Sequence, residues 1–478
     1  MTLTRPPVSD PPAPVPRLRL QARRPERPSA GPGSGSGAAP TRDTTIDAVR
    51  AGCLLAVVVL HALMVGIWVG ADGELNTAVA LAGETWFVPA TWALQVMPLF
   101  FIAGGFVSLM QWRRMRARGA SAGEYIASRV RRLAAPAAVM TATVGLALLI
   151  ARAMGADPGL LAEAGLRIGQ PLWFLAVYLG VTALVPVMAR LHERRPLLTI
   201  AGLGAAVLAV DLVGGRGASP LGYLNLALVW PLMQQVGFAM LDGACAAWSR
   251  RRLLAGLLAA VAGLFALIGL GWSPDMLVNL NPPTSAIVLL GAAQFFALLL
   301  LRPRLDALTS RPTTARIAER AGAWAMGVYL WHMPLVLALA AALWAAGIPL
   351  PEPHTAAWWA TRIPWLVAIL ALVVPFASGI VRLDRPALRL AAAVSGRLRA
   401  GERASGRPTR PAVLVAAAIV GTAAALLVGL DEPFVALVAT SLLGGAVVLA
   451  SPARTSPLPS ILLRPSERGM GAPARPRA

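Results

Sequence analysis

The chain has 478 residues, of which 57% are hydrophobic and 14% are charged, and its mean hydropathy is +0.65. Soluble domains contain about 25% charged residues, so this composition excludes a soluble protein and indicates a polytopic membrane protein. The net charge of +21 comes from Arg without any Lys, and the concentration of these Arg in alternate loops excludes a nucleic-acid-binding surface.

Twelve apolar segments are predicted to cross the membrane as helices, most of them close to or above the minimum of about 17 residues. Residues 1–43 and 451–478 flank these segments and are rich in Pro, Arg, Gly and Ser, a composition typical of disordered tails. The predicted spans are 46–70, 91–112, 133–153, 171–189, 198–213, 222–245, 253–272, 284–301, 323–347, 358–381, 412–430 and 433–450.

The positions of the Arg residues test this span count, because short cytoplasmic loops of membrane proteins collect Arg. With the N-terminus in the cytoplasm, four of the 43 basic residues fall on the outer side: Arg152, Arg167, Arg216 and Arg362. All the others fall in the tails, in the inner loops or at the inner boundary. This asymmetry predicts a multi-pass plasma-membrane protein with both termini in the cytoplasm.

A Pro- and Arg-rich segment divides the predicted spans into two groups. It covers 383–411, after the first ten spans at 44–382 and before the last two at 412–450. We expect an all-α bundle with a ten-helix working domain, a cytoplasmic linker and an accessory two-helix hairpin.

The first span carries three polar side chains. Arg50 and His61 are eleven residues apart, so at 100° per residue they share one face, with a rise of about 16 Å between them. Asp47 precedes Arg50 by one turn and lies close enough to pair with it. The spacing predicts Arg50 at the cytoplasmic boundary and His61 near mid-membrane, where an ionisable group usually faces the interior of the bundle. The structural alternatives are a neutral His bonded to another helix and a boundary ion pair.

Basic residues also precede the third span. In "RVRRLAAP", Arg129 and Arg132 are three residues apart at the start of a helix, where two guanidinium groups on one face can bind a phosphate. Anchoring of the helix at the cytoplasmic surface is the alternative explanation, and charge alone does not separate these two Arg from their neighbours.

Two later segments carry polar aromatic groups. "QPLWFLAVYLG" places Trp173 at the outer end of the fourth span, and "GVYLWHMPLVL" places Tyr329 and His332 on one face of the ninth. Trp and Tyr are also common in the interfacial belts of membrane proteins. The two cysteines, Cys53 and Cys245, fall in predicted spans and offer neither a disulfide framework nor the spacing of a metal site.

Taken together, these motifs resemble the membrane-bound acyltransferase family 3 over about residues 43–382. The family pattern begins with an acidic residue, an Arg and a later His, which Asp47, Arg50 and His61 match. It continues with "FFxxSGF", an Arg-x-x-Arg element before a Pro, "WFL" and "YLWH". The corresponding segments here are "FFIAGGF", "RVRRLAAP", "WFL" and "YLWH". One departure is Gly104, which stands where the family usually has Ser.

The resemblance implies transfer of an acyl group, commonly acetyl, from acyl-CoA to a hydroxyl of a sugar, a lipid or a small natural product. It implies no permanently bound cofactor and places the Arg-x-x-Arg element on the cytoplasmic side. On this hypothesis Arg129 and Arg132 bind the phosphates of coenzyme A and His61 acts as general base, assisted by Arg50 and Asp47. The residues Trp173, Tyr329 and His332 would line the acceptor pocket.

Two other classes of protein remain open from the sequence. Twelve spans with ionisable residues inside them also fit a proton-coupled secondary transporter or flippase, although no paired halves are visible. A non-catalytic polysaccharide-assembly or scaffolding protein is the third hypothesis, and normal function after His61→Ala would distinguish it.

Overall fold

The computed structural model describes residues 43–70, 75–215, 219–402 and 411–451. Most of the two predicted tails, and Arg216, lie outside these described residues. The α-helices are α1 Thr44–Met64, α2 Val88–Leu94, α3 Met97–Ala117, α4 Ala122–Ala153, α5 Pro158–Gly169, α6 Leu172–Arg194, α7 Pro196–Val213, α8 Val229–Leu241, α9 Arg250–Gly269, α10 Ser285–Thr309, α11 Pro312–Ala345, α12 Ala356–Glu402, α13 Pro411–Leu427 and α14 Pro433–Ala450. Short 3-10 helices cover Thr85–Phe87, Pro220–Ala227 and Val278–Leu280, and two strands, β1 Val65–Val69 and β2 Leu75–Val79, form the sheet.

The helices confirm the prediction of an all-α polytopic membrane protein. Within the described residues, eleven helical segments are long and apolar enough to cross a membrane, and α13 is a shorter apolar helix. Each of the twelve predicted spans overlaps one of these segments. Long apolar runs leave the backbone no other way to satisfy its hydrogen bonds in lipid, so the helical state follows directly from composition.

Local sequence sets several helix ends. Asp43 caps α1 by accepting a hydrogen bond from Ile46 N at 3.0 Å, and Ser121 and Glu124 form a capping box at the start of α4. Thr45 at the start of α1 lies 2.8 Å from Thr309 at the end of α10. We call this end of the bundle, where α1 begins and α4 begins, the basic side, and the opposite end the distal side.

The first predicted span is wrong at its C-terminal end. The prediction extended the helix to residue 70, but α1 ends at Met64. Residues Val65–Val69 instead pair antiparallel with Leu75–Val79, because Gly66 weakens the helix and the β-branched residues around it favour an extended strand. His61 therefore lies in the last turn of α1 and not near the middle of a longer helix.

Other predicted elements also differ in their bounds. The second span is broken at Gln95, where Gln294 accepts from Leu99 N at 3.2 Å and donates to Gln95 O at 2.8 Å, so backbone groups freed by the break are satisfied. The helix α8 ends at Leu241, which leaves Cys245 outside it. Helix α12 continues to Glu402, through much of the predicted linker, and 403–410 lies outside the described residues.

A buried carboxylate joins four segments on the distal side. Asp211 of α7 is completely buried and accepts from Asn225 Nδ2 at 2.7 Å, Trp272 Nε1 at 3.1 Å and Ser285 N at 2.6 Å. A carboxylate removed from water is tolerated only when its oxygens are hydrogen-bonded in this way. Asp211 is therefore a structural group that fixes α7, the 220–227 segment, the loop after α9 and the start of α10.

The last two helices pack into the bundle. Helix α14 contacts α4 and α12, and α13 contacts α4, α5 and α6. Thr141 and Thr440 join α4 to α14 by a hydroxyl–hydroxyl hydrogen bond of 3.0 Å. The hairpin formed by α13 and α14 thus shares an interface with the helices that carry the predicted motifs.

Candidate active site

Two histidines from distant parts of the chain meet inside the bundle. His61 ends α1 and His332 lies in the middle of α11, where these two helices pack together. The rings are nearly parallel, with an interplanar angle of 10°, and His61 Nδ1 lies 2.7 Å from His332 Nε2. His332 is completely buried. The distance and orientation define a hydrogen bond between the two imidazoles.

The second partner of His332 indicates where the protons lie. His332 Nδ1 is 2.6 Å from the backbone oxygen of Tyr329, and because a carbonyl only accepts, this nitrogen must donate. In a neutral ring Nε2 is then an acceptor, so His61 Nδ1 donates to it. Apolar surroundings favour this uncharged form of the pair. His61 Nε2 therefore keeps a lone pair that can take a proton from a bound molecule.

A cavity of about 640 Å³ lies beside His61. Trp173 and Tyr329 also line it, so three of the predicted site residues come together here. The Tyr329 hydroxyl donates to Pro171 O at 2.5 Å, which holds α11 against the start of α6. His332 lies behind His61, one hydrogen bond away. The pair and the cavity therefore form one site in the distal half of the bundle.

Several groups around the cavity have no counterpart in the sequence prediction. Gln95, Arg167, Gln170 and Asn281 add polar groups to its wall, and Arg167 Nε donates to Glu163 at 2.5 Å. Gln170 directly precedes the "PLWF" segment, so its position next to Trp173 could have drawn attention to it. The other three lie at helix ends or breaks, where no sequence pattern singles them out.

An aromatic layer separates Arg50 from the cavity. The guanidinium carbon of Arg50 lies 5.6 Å from the centre of the Phe100 ring, and Phe100 packs edge to face on Phe174 at 5.2 Å. Phe174 in turn lines the cavity. The Nε of Arg50 is buried and has no hydrogen-bond partner among the described residues. From Arg50 to His61 the rise along α1 is about 16 Å.

The other predicted basic and acidic residues lie toward the basic side, and none of them lines the cavity among the described residues. Arg129 donates to Gln111 and its guanidinium lies 5.6 Å from the centre of the Tyr125 ring. Arg132 is exposed. Asp47 lies one turn before Arg50 on α1. The structure thus separates the predicted phosphate-binding residues from the predicted acceptor pocket.

Gly104 occupies the position where the family pattern usually has Ser. A Cβ at residue 104 would lie 3.5 Å from both Cε2 and the hydroxyl of Tyr178, an ordinary van der Waals contact. The space beside α6 therefore accommodates a Cβ atom, and the fold does not require the absence of a Cβ at this position.

The motifs and the fold agree with a comparison against protein families. The family model described as an acyltransferase domain matches residues 43–382, the range that contains every predicted site residue and the histidine pair. No curated protein and no solved structure matches the chain. The chain belongs to the membrane-bound acyltransferase family 3 and is an integral membrane acyltransferase.

Proposed function

We propose that the protein transfers an acyl group, most simply acetyl, from acyl-CoA to a hydroxyl of an acceptor bound in the cavity. His61 Nε2 removes the hydroxyl proton as the oxygen attacks the thioester carbonyl carbon. A carbon–oxygen bond forms, the carbon–sulfur bond breaks, and the proton passes from His61 to the departing thiolate. Free CoA and an ester leave, and the neutral histidine pair is restored.

The hydrogen-bonded histidine pair carries this proposal. Since His332 accepts from His61 Nδ1, the ring of His61 is held in the tautomer whose Nε2 is basic. His61 is also a residue of the cavity wall. A transporter would use such a pair to relay protons, but the family match to an acyltransferase domain favours the transferase.

The donor is proposed to bind from the basic side, which faces the cytoplasm and the coenzyme A pool of the cell. Arg129, Arg132 and the unpaired Nε of Arg50 offer charge-assisted hydrogen bonds to its phosphates. Asp47 would orient Arg50. The pantetheine arm would extend along α1 past the aromatic layer toward His61, so that the thioester and the acceptor hydroxyl meet at the imidazole.

Direct transfer fits the described residues better than a cysteinyl intermediate. Cys53 is buried in α1 two turns before His61, and Cys245 lies beyond the end of α8. Neither thiol lines the cavity. Both would therefore have to move before they could accept an acyl group near His61.

The test is thioester turnover by the purified protein in nanodiscs with acetyl-CoA and a panel of hydroxyl compounds. Free thiol and the acylated product are both measured. His61→Ala is expected to lower kcat by about 10²- to 10⁴-fold, the usual contribution of a general base. Arg132→Ala is expected to raise KM for acetyl-CoA with a smaller change in kcat.

The matched control is His354→Ala, which removes a histidine that does not line the cavity and is expected to retain activity. Full activity in His61→Ala would contradict the assignment of the base. Absence of both thiol release and acetyl-CoA binding in the wild-type protein would contradict the proposed donor.

A further inference from the structure

The residues that line the cavity say more about the chemistry of the acceptor than the histidine pair does. Apart from a few polar groups the lining is aliphatic or aromatic, with Leu60, Met97, Val177 and Met333 among its members. A volume of about 640 Å³ is that of an ordinary small-molecule site, in which apolar walls hold the body of a ligand and a few polar groups orient it. An apolar body of this size, carrying one hydroxyl directed at His61, fits this surface.

Part of the wall comes from outside the family domain. The domain match ends at residue 382, but Leu426 and Leu427 at the distal end of α13 line the cavity. Leu426 is half-buried, and Leu427 is exposed and so lies at the rim. The hairpin of α13 and α14 therefore closes a site whose catalytic residues belong to the family domain.

The position of this wall is fixed by close backbone packing. A Cβ at Gly169 would lie 2.4 Å from the oxygen of Ala425, so α5 and α13 touch one residue before Leu426. A Cβ at Gly165 would lie 2.8 Å from Asp431 N, in the turn between α13 and α14. Contacts this close require glycine, and they hold the hairpin at a defined distance from the cavity.

We propose that the acceptor is a small alcohol with a compact apolar body, and that Leu426 and Leu427 set the largest body the cavity takes. The inference rests on the proposed function for the role of the bound alcohol, but the binding site itself does not depend on turnover. A sugar chain is the alternative acceptor, and most of the wall that its hydroxyls would face is apolar.

Binding is measured without acyl-CoA, on the full-length protein in nanodiscs. Two photoreactive probes carry the same diazirine and alkyne groups: one on a cyclohexylmethanol body and one on a methyl glucoside. We expect the cyclohexyl probe to label the cavity segments, including the peptide with Leu426, and an excess of unlabelled cyclohexylmethanol to displace it. Equal labelling by the glucoside, or labelling that no excess alcohol displaces, would overturn the proposal.

A matched pair of variants tests the hairpin. Leu426→Trp places an indole ring in the cavity wall and is expected to lower displaceable labelling by about tenfold or more, whereas Leu437→Trp, on the exposed face of α14, is expected to leave it unchanged. If Leu426→Trp fails to fold, Leu426→Ala replaces it and is expected to increase displaceable labelling by a bulkier adamantylmethanol probe relative to the wild type. Equal labelling in the Leu426 variant and the Leu437 variant would refute the role of the wall.

The two proposals fail separately. A protein that binds the cyclohexyl probe at Leu426 but transfers no acyl group would keep the binding site and lose the proposed function. A protein that acylates sugars, with no effect of the Leu426 variants, would keep the transferase and lose the inference about its acceptor.

Discussion

Replacing His332 separates the orientation of His61 from the chemistry that is proposed for His61. His332→Met removes the acceptor at Nε2 while keeping a side chain of similar length. His332→Gln can place its amide oxygen close to the position of Nε2, so it can still accept from His61 Nδ1. Both variants lose the contact with Tyr329 O. They therefore differ mainly in the hydrogen bond to His61, now 2.7 Å long.

The magnitude follows from that one bond. A hydrogen bond between neutral groups contributes about 0.5–1.5 kcal/mol net, and a buried N–H left unpaired costs about 1–3 kcal/mol. Without an acceptor at residue 332, His61 also loses its preference for the tautomer with a basic Nε2. We expect His332→Met to raise the barrier by about 1.4–2.8 kcal/mol, which lowers kcat by about 10- to 100-fold. His332→Gln is expected to retain most of the activity.

The assay is steady-state thiol release in nanodiscs, with kcat and KM for acetyl-CoA determined separately for both variants. The orientation of His61 affects only the chemical step, so kcat falls while KM stays near the wild-type value. Thermal unfolding of both variants checks that the bundle is intact. Equal losses in His332→Met and His332→Gln, or unchanged kcat in His332→Met, would refute the reasoning.

Two further predictions concern stability. Gly169→Ala is expected to destabilise the protein by about 1–3 kcal/mol, because its Cβ would lie 2.4 Å from a backbone oxygen of α13. The control Gly180→Ala is expected to be neutral, because its Cβ would lie 3.7 Å from the nearest side chain of α13. Equal melting temperatures of the two variants in nanodiscs would contradict the close packing. Arg113 donates to Asp242 at 2.9 Å and holds the pKa of that carboxyl below its usual range. This stabilisation is present above the pKa of Asp242 in the unfolded protein and is lost as the pH falls through its pKa in the folded protein. The wild type is therefore expected to lose more stability than Asp242→Asn below about pH 4. Parallel pH profiles of stability for the two proteins would contradict this prediction.

Part of the candidate site was predictable because its residues carry a chemical signal in sequence. An imidazole in an apolar run is rare enough to be noticed, so His61 and His332 could both be named in advance. Their pairing could not, because they are 271 residues apart and only the crossing of α1 and α11 brings them together. Sequence reasoning therefore placed His332 in the acceptor pocket. In the structure His332 does not line the cavity and lies behind His61.

The hairpin illustrates the same limit. Both of its helices were predicted from hydropathy, although α13 ends at Leu427 and not at residue 430, but Leu426 and Leu427 look like any other leucines of a membrane helix. Periodicity records which residues avoid water and says nothing about which apolar face packs against which. The contacts at Gly165 and Gly169 fix that choice, and a glycine in a membrane helix has too many possible reasons to be interpreted alone.

The sequence by itself determined that the chain is a bundle of apolar helices, because the bilayer leaves long apolar segments one way to satisfy their backbone. It also determined the family, through motifs that keep their order over residues 43–382. The tertiary structure decided where α1 ends, which nitrogen of His61 is free, and what closes the cavity. These depend on contacts between segments far apart in the chain, and such contacts are set by packing geometry that no local pattern encodes.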